Sequence, residues 1–348
     1  MAEKNRVMLA YTTSVFSLGL VLYYVSLNQS IRSELVQTIS VSSQRAISTV
    51  QRSLRSVDKR INDDESCYQM LNSGSYTPNI NHTICDMNDD CKREAWQPEG
   101  CQWHKYTPDD TRQCLKNKKV LILGDSRGRQ VYIALKNRLT GETELMDEVA
   151  HHNLKYEKHN GQVKWLWTTN VRDGSVTKLL HRMLDDVSNV ERPDLIIFNS
   201  LLLHPTSHKN MSICENELMI FKDITKKEII PALGELVKKG TKIVWMASED
   251  MFPKHAYTVD QVNTLRKHND FLEAEINKMN SDFSFAGMNR KTAYHRENGQ
   301  LLLGDGTHKL IRRQFTQVPV SLWADVNALL NYFCNPSMQW EDASCCKK

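Results

Sequence analysis

The chain has 348 residues, with 45 Lys and Arg against 41 Asp and Glu, a formal net charge of +4 and nine cysteines. That length holds one large α/β domain plus accessory segments. No basic block and no basic stretch interleaved with aromatics stands out, so nucleic acid is set aside as a partner.

Residues 1–6 read as a short cytoplasmic tail carrying Lys4 and Arg6. Val7 to Leu27 hold no charged side chain, enough residues to cross a bilayer, and Tyr23 and Tyr24 stand near the far end as interfacial aromatics do. The stretch is long for a cleaved signal peptide, and no small-x-small cleavage site follows it. Residues 7–27 are therefore expected to be a type II signal anchor, with the rest of the chain in the lumen or outside the cell. In 28–65, apolar residues recur at Ile47, Val50, Leu54, Val57 and Ile61, in steps of three and four. That spacing predicts a helical stem. Self-association through it stays open, because two heptads are short for a stable coiled coil.

Residues 66–117 form a Cys-rich cap. Cys67, Cys85, Cys91, Cys101 and Cys114 crowd into it, and no Cys-x-x-Cys pair with a matching partner suggests zinc, so no metal site is expected. In an oxidising compartment these cysteines read as disulfides, with Cys214 and Cys334 open to the same framework and Cys345 and Cys346 in the tail. Nine is odd, which leaves at least one thiol free or paired between chains. Asn81-His82-Thr83 and Asn210-Met211-Ser212 are glycosylation sequons, usable only in the lumen.

From 118 to 338 strands and helices alternate, with 339–348 as a tail. Val120–Leu123, Val163–Trp167, Leu195–Phe198 and Lys242–Met246 read as strands, with Phe283–Gly287 a weaker one. Helices are predicted over Gln130–Leu139, Ser175–Val187, about Glu215–Lys239 with a break near Pro231 and Gly240 as C-cap, Asp260–Met279, and about Gln314–Phe333. This alternation implies a mostly parallel sheet covered on both faces, a three-layer α/β/α flavodoxin-like domain with all strand C-termini on one edge.

Ser126 and Asn199 fall on that edge. Gly124-Asp125-Ser126 ends an apolar strand and runs into a helix, which presents a hydroxyl beside N-terminal backbone N–H groups suited to an oxyanion. A polar turn with Asp125 or Ser126 as N-cap explains the same residues equally well. Downstream stands Gly304-Asp305-Gly306-Thr307-His308. Asp and His three apart in a turn can place a carboxylate on one imidazole nitrogen and leave the other to take a proton from a serine. Trp165 and Trp167 share one sheet face and suit the core. His151, His152 and His159 lie in a polar segment without a matching ligand pattern and read as a loop.

Gly124-Asp125-Ser126 together with Asp305-x-x-His308 resembles the SGNH/GDSL hydrolase superfamily. Gly100-Cys101-Gln102-Trp103-His104-Lys105-Tyr106, Cys114 and Gly124-Asp125-Ser126-Arg127-Gly128-Arg129-Gln130 are similar to the lumenal domain of animal sialate O-acetyltransferases. The resemblance implies Ser126 as nucleophile, His308 as general base and Asp305 as its orienter. It further implies a glycine and an asparagine in the oxyanion hole beside the Ser126 N–H, for which Gly174 and Asn199 are the candidates. A turn glycine and a strand-end asparagine explain those two equally well. Arg127 and Arg129 flank the serine and could grip a phosphate of a nucleotide sugar or of coenzyme A. No chemical role follows for His104.

The resemblance thus implies acetyl transfer in a Golgi membrane from acetyl-coenzyme A, as co-substrate rather than bound cofactor, to a sialic acid, as a nucleotide sugar or a related glycan. A carbohydrate esterase with water as acceptor uses the same triad, and a non-catalytic glycan-binding protein is the reading from another class. The animal enzymes also carry a multi-spanning membrane region, and no hydrophobic run able to span a membrane follows Leu330. The expectation is a multi-spanning partner that supplies the acetyl donor, another donor or glycan, or a shortened form of a longer protein.

Overall fold

The computed structural model describes residues 66–76, 96–142, 152–158, 160–168, 171–188, 192–199, 211–248, 258–279, 282–288, 320–338 and 340–346. All belong to one compact unit, Asn62–Lys348. The predicted anchor, the stem, both sequon asparagines, His151, His159, Asp305 and His308 lie outside the described residues. Among the described residues no helix is long and apolar enough to cross a membrane.

The strands are β1 (Gly74–Tyr76), β2 (Trp96–Pro98), β3 (Lys119–Gly124), β4 (Leu154–Lys158), β5 (Gly161–Trp167), β6 (Leu195–Asn199), β7 (Lys242–Met246) and β8 (Phe283–Ala286). The helices are α1 (Pro108–Cys114), α2 (Ser126–Thr140), α3 (Ser175–Asp185), α4 (Met211–Ile224), α5 (Ile230–Lys238), α6 (Val259–Ile276) and α7 (Val320–Met338). Six strands form the main sheet in the order β4-β5-β3-β6-β7-β8, and β1 pairs with β2 alone. From β5 to β8 every pairing is parallel, and β4 joins the edge antiparallel. Counting the parallel strands in chain order gives 2-1-3-4-5, the flavodoxin-like order, with its switch point between β3 and β6.

The central strands are apolar at nearly every position because both faces are covered. Val120, Ile122, Leu195, Ile197 and Val244 pack on one face against α2 and α7. Leu121, Leu123, Ile196, Phe198 and Trp245 pack on the other against α3, α4, α5 and α6. The expected three layers are thus present. Trp165 and Trp167 lie on the first face, edge to face at 5.7 Å, and Trp165 is fully buried, in keeping with a core role.

Besides the start of α2, three elements depart from expectation. The polar segment around His152 contains strand β4 rather than only loop. Its sole buried residue is Tyr156, so no alternation announces it. The signal lies in the turn, where Lys158 pairs with Gly161 across a two-residue loop and Asn160 takes φ 58°. Near Pro231 the expected break is a π-turn, Thr225–Ile229, closed by the Ile230 N–H on the Thr225 carbonyl. One wide turn accommodates the missing N–H of the proline without ending the helix. The last helix runs to Met338, with Pro336 inside its final turn.

The described part of the Cys-rich stretch packs into the main core: Met70, Leu71, Trp96, Trp103 and Tyr106 join it on the α2–α7 face. Disulfides tie it to the far end of the chain, Cys67 to Cys346, Cys101 to Cys345 and Cys114 to Cys334. The segment around His104 lies along a ladder of asparagines one helical turn apart on α7. The His104 N–H donates to Asn331 Oδ1 at 2.7 Å, and the Tyr106 N–H to Asn327 Oδ1 at 3.0 Å. Asn327 and Asn331 both return a bond to the His104 carbonyl, and the Tyr106 hydroxyl donates to Asn335 Oδ1. The imidazole stacks on Trp340 at 4.1 Å, with Asp342 at 2.7 Å from Nδ1 and Asp110 at 3.3 Å from Nε2. His104 is therefore a fastening between the cap and the tail. That is a structural role the sequence did not assign.

Candidate functional site

β3 delivers Gly124, Asp125 and Ser126 to the carboxyl edge of the sheet. Helix α2 begins at Ser126, four residues earlier than the apolar periodicity predicts. The reason is Asp125: its extended backbone lets Oδ1 accept the Arg127 N–H at 2.9 Å, and its carbonyl accepts the Arg129 N–H at 3.1 Å. Ser126 is thus the first helical residue, at the positive end of the helix dipole. Two close approaches lock this turn. A Cβ at Gly124 would stand 2.2 Å from the Asn199 carbonyl oxygen, so no side chain fits between β3 and β6 there. A Cβ at Gly128 would stand 3.2 Å from Trp165 Nε1, so the glycine seats the first turn of α2 tightly on β5.

Gly124 faces Asn199 on one side and Trp167 on the other. Asn199 therefore stands at the switch point, as the sequence expects for a strand-end residue on the site edge. It is 4 % exposed, and among the described residues its carboxamide makes one weak contact, Nδ2 to Met246 Sδ at 3.5 Å, leaving Oδ1 without a hydrogen-bond partner there. On the β5 side, Thr168 donates its N–H to the Gly124 carbonyl at 3.0 Å.

Gly174, the other oxyanion candidate, takes a different part. It is the N-cap of α3 with φ 72°, and its N–H donates to the Val171 carbonyl at 3.2 Å. A donor held in that turn is not offered to a ligand. The turn reading, which only glycine satisfies without strain at positive φ, accounts for it.

Arg127 is buried at the serine, 4 % exposed, whereas Arg129 is half-buried. Arg127 is accordingly not a solvated surface arginine. The adjacent strand end is fixed from a distance: Asn269 on α6 accepts the Ser248 N–H at 3.1 Å and donates to the Ser248 carbonyl at 2.8 Å, which holds the chain just past β7. Chemically, the edge offers a hydroxyl at a helix start, a strand-end carboxamide and a buried guanidinium.

Residues 96–210 match the family described as NXPE family member 4-like, C-terminal domain. An N-acetylneuraminate (7)9-O-acetyltransferase from Danio rerio is 23 % identical over 258 residues, which cover 73 % of this chain and 30 % of that protein. The chain therefore spans less than a third of that relative. The resemblance to sialate O-acetyltransferases that the sequence motifs carry is borne out. Among solved structures, an acetylxylan esterase from Geobacillus stearothermophilus, a catalytic mutant, is 14 % identical with a TM-score of 0.36, covering 62 % of this chain and 93 % of that one. The C-terminal catalytic domain of peptidoglycan O-acetyltransferase A from Streptococcus pneumoniae is 13 % identical with a TM-score of 0.35, covering 67 % and 99 %.

Proposed function

We propose that the chain is a carbohydrate O-acetyltransferase that works through an acetyl-serine. The observation that carries this reading is Ser126 opening α2 at the switch point of a 2-1-3-4-5 sheet, beside the strand-end carboxamide of Asn199. The similarity to a sialate O-acetyltransferase supports the acetyl group and a sialic acid or related glycan as its acceptor.

Ser126 Oγ attacks the thioester carbon of acetyl-coenzyme A while His308, oriented by Asp305, takes the hydroxyl proton. The carbonyl electron pair moves to oxygen and is met by the Ser126 N–H at the start of α2 and by the Asn199 carboxamide N–H. Collapse expels the thiolate, which leaves with the proton from His308. A sugar hydroxyl then attacks the acetyl-serine, giving its proton to His308, and the ester departs as Ser126 recovers its own. Arg127 and Arg129 bind phosphate oxygens of coenzyme A or of a nucleotide sugar. The anchor, the sequons at Asn81 and Asn210 and the disulfides fit a type II protein of the Golgi lumen, working with a multi-spanning partner that supplies the donor.

The test incubates purified full chain with acetyl-coenzyme A and a nucleotide-activated sialic acid, with the Ser126→Ala variant alongside. Acetylated sugar from wild type alone supports transfer. Release of acetate with no acetylated sugar replaces the transferase by an esterase, and neither product from folded protein favours a glycan-binding protein.

A further inference from the structure

The proposed chemistry leaves one donor position open. With the Gly174 N–H turned to Val171, the β5 side of the serine turn lacks the donor expected there among the described residues. Thr168 stands on that side. It directly follows Trp167, the residue paired with Gly124, and its N–H binds the Gly124 carbonyl, so its position relative to the Gly124-Asp125-Ser126 turn is fixed by the sheet ladder.

The Thr168 hydroxyl is the unusual feature. The residue is 8 % exposed, and Oγ1 is buried without a hydrogen-bond partner among the described residues. A buried hydroxyl with no partner is a cost to folding that valine, of nearly the same shape, would avoid. Across β3, Asn199 pairs with Gly124, one register position before Thr168, and its unmatched atom among the described residues is the acceptor Oδ1. Thr168 thus sets an unmatched donor beside the turn that presents Ser126, at the edge where ligands bind in sheets of this order. Buried groups left unmatched at such a place fit a partner that arrives with the substrate.

We propose that Thr168 is a substrate-contacting residue whose hydroxyl donates a hydrogen bond to the acyl carbonyl oxygen as it becomes an oxyanion, from the β5 side, opposite Asn199. The inference rests on the acetyl-serine reading of Ser126. No proton is transferred by Thr168: the Ser126 Oγ–carbon bond forms, the carbonyl π pair moves to oxygen, and the threonine hydrogen follows that charge without leaving its own oxygen.

The experiment compares full-length wild type, Thr168→Val and Thr168→Ser for turnover of acetyl-coenzyme A and for thermal midpoint. Loss of one oxyanion donor typically lowers kcat by roughly 100- to 1,000-fold. The valine variant should fall by at least about 10-fold in kcat, with KM within about twofold, since the bond strengthens chiefly in the transition state. Its thermal midpoint should equal or exceed that of wild type, and the serine variant should keep kcat within about threefold. A buried threonine with only a packing role predicts the reverse, with valine near wild type in kcat. Valine activity within twofold of wild type overturns the proposal, as does a loss of kcat that serine does not restore. Wild type that turns over no acetyl group removes the Ser126 reading itself and this inference with it. Active wild type with an unaffected valine variant removes this inference alone.

Discussion

His268 makes the stability of this fold depend on pH in a direction the structure specifies. It lies on α6, fully buried, edge-on to Phe221 at 4.5 Å and near Phe271 at 6.0 Å, and neither ring nitrogen has a hydrogen-bond partner among the described residues. Burial pushes its pKa well below the ordinary 6.5, and the nearby Lys222 ammonium pushes the same way. The folded chain therefore keeps this ring neutral where the unfolded chain protonates it. Above about pH 6.5 neither state takes up the proton and the residue contributes no pH dependence. Below it, stability falls by about 1.4 kcal/mol per pH unit, or about 2 kcal/mol by pH 5. The assay is denaturant unfolding with disulfides intact, at about pH 7 and about pH 5, for wild type and His268→Leu. Leucine removes both unmatched nitrogens, so between the two pH values the variant should lose about 2 kcal/mol less stability than wild type does. An equal loss in the two proteins would refute the assignment of a neutral, proton-refusing His268.

Gly124→Ala should destabilise the fold by roughly 1–3 kcal/mol and abolish activity, because the new methyl meets the Asn199 carbonyl backbone, which cannot yield without parting β3 from β6. A thermal midpoint unchanged from wild type contradicts that packing. Asn331→Leu strips the His104 N–H of its acceptor inside the α7 ladder and should cost roughly 1–3 kcal/mol in chemical denaturation. Cys345→Ser opens a bridge that closes a separation of 244 residues, and with Cys67–Cys346 and Cys114–Cys334 still in place it should cost about 2–5 kcal/mol or less. Its partner, Cys101, should then react with a thiol reagent that leaves wild type untouched at that position.

The parts of this fold that depend on neighbouring residues in sequence were legible, and those that depend on distant ones were not. Val120–Leu123, Leu195–Phe198 and Lys242–Met246 are apolar throughout because each is covered on both faces, and that pattern survives without knowledge of the partners. The start of α2 was misplaced because Ser126 to Arg129 are polar or small, and only the Asp125 cap shows that they are helical. β4 was invisible to periodicity because only Tyr156 is buried, and the local turn signal was Asn160, which takes φ 58° just before β5. His104 could not be explained from its surroundings in sequence: Asn327, Asn331, Trp340 and Asp342 all lie more than two hundred residues away. The same holds for the cysteines, whose pairing of the cap with the tail no spacing rule supplies. At the site, Ser126 and Asn199 were read from strand ends, and Gly174 takes the turn at φ 72° that the sequence had left open beside the oxyanion reading.

The central claim is that Ser126 forms a covalent bond with the acetyl group it moves. The direct measurement treats the full chain with acetyl-coenzyme A in the absence of acceptor, quenches in acid and maps the peptides by mass. The account predicts one acetyl group on the peptide containing Gly124-Asp125-Ser126, lost on adding the sugar acceptor and absent in Ser126→Ala. Acetylated sugar formed by the Ser126→Ala variant at the wild-type rate would contradict it, as would an acetyl group located on any residue other than Ser126.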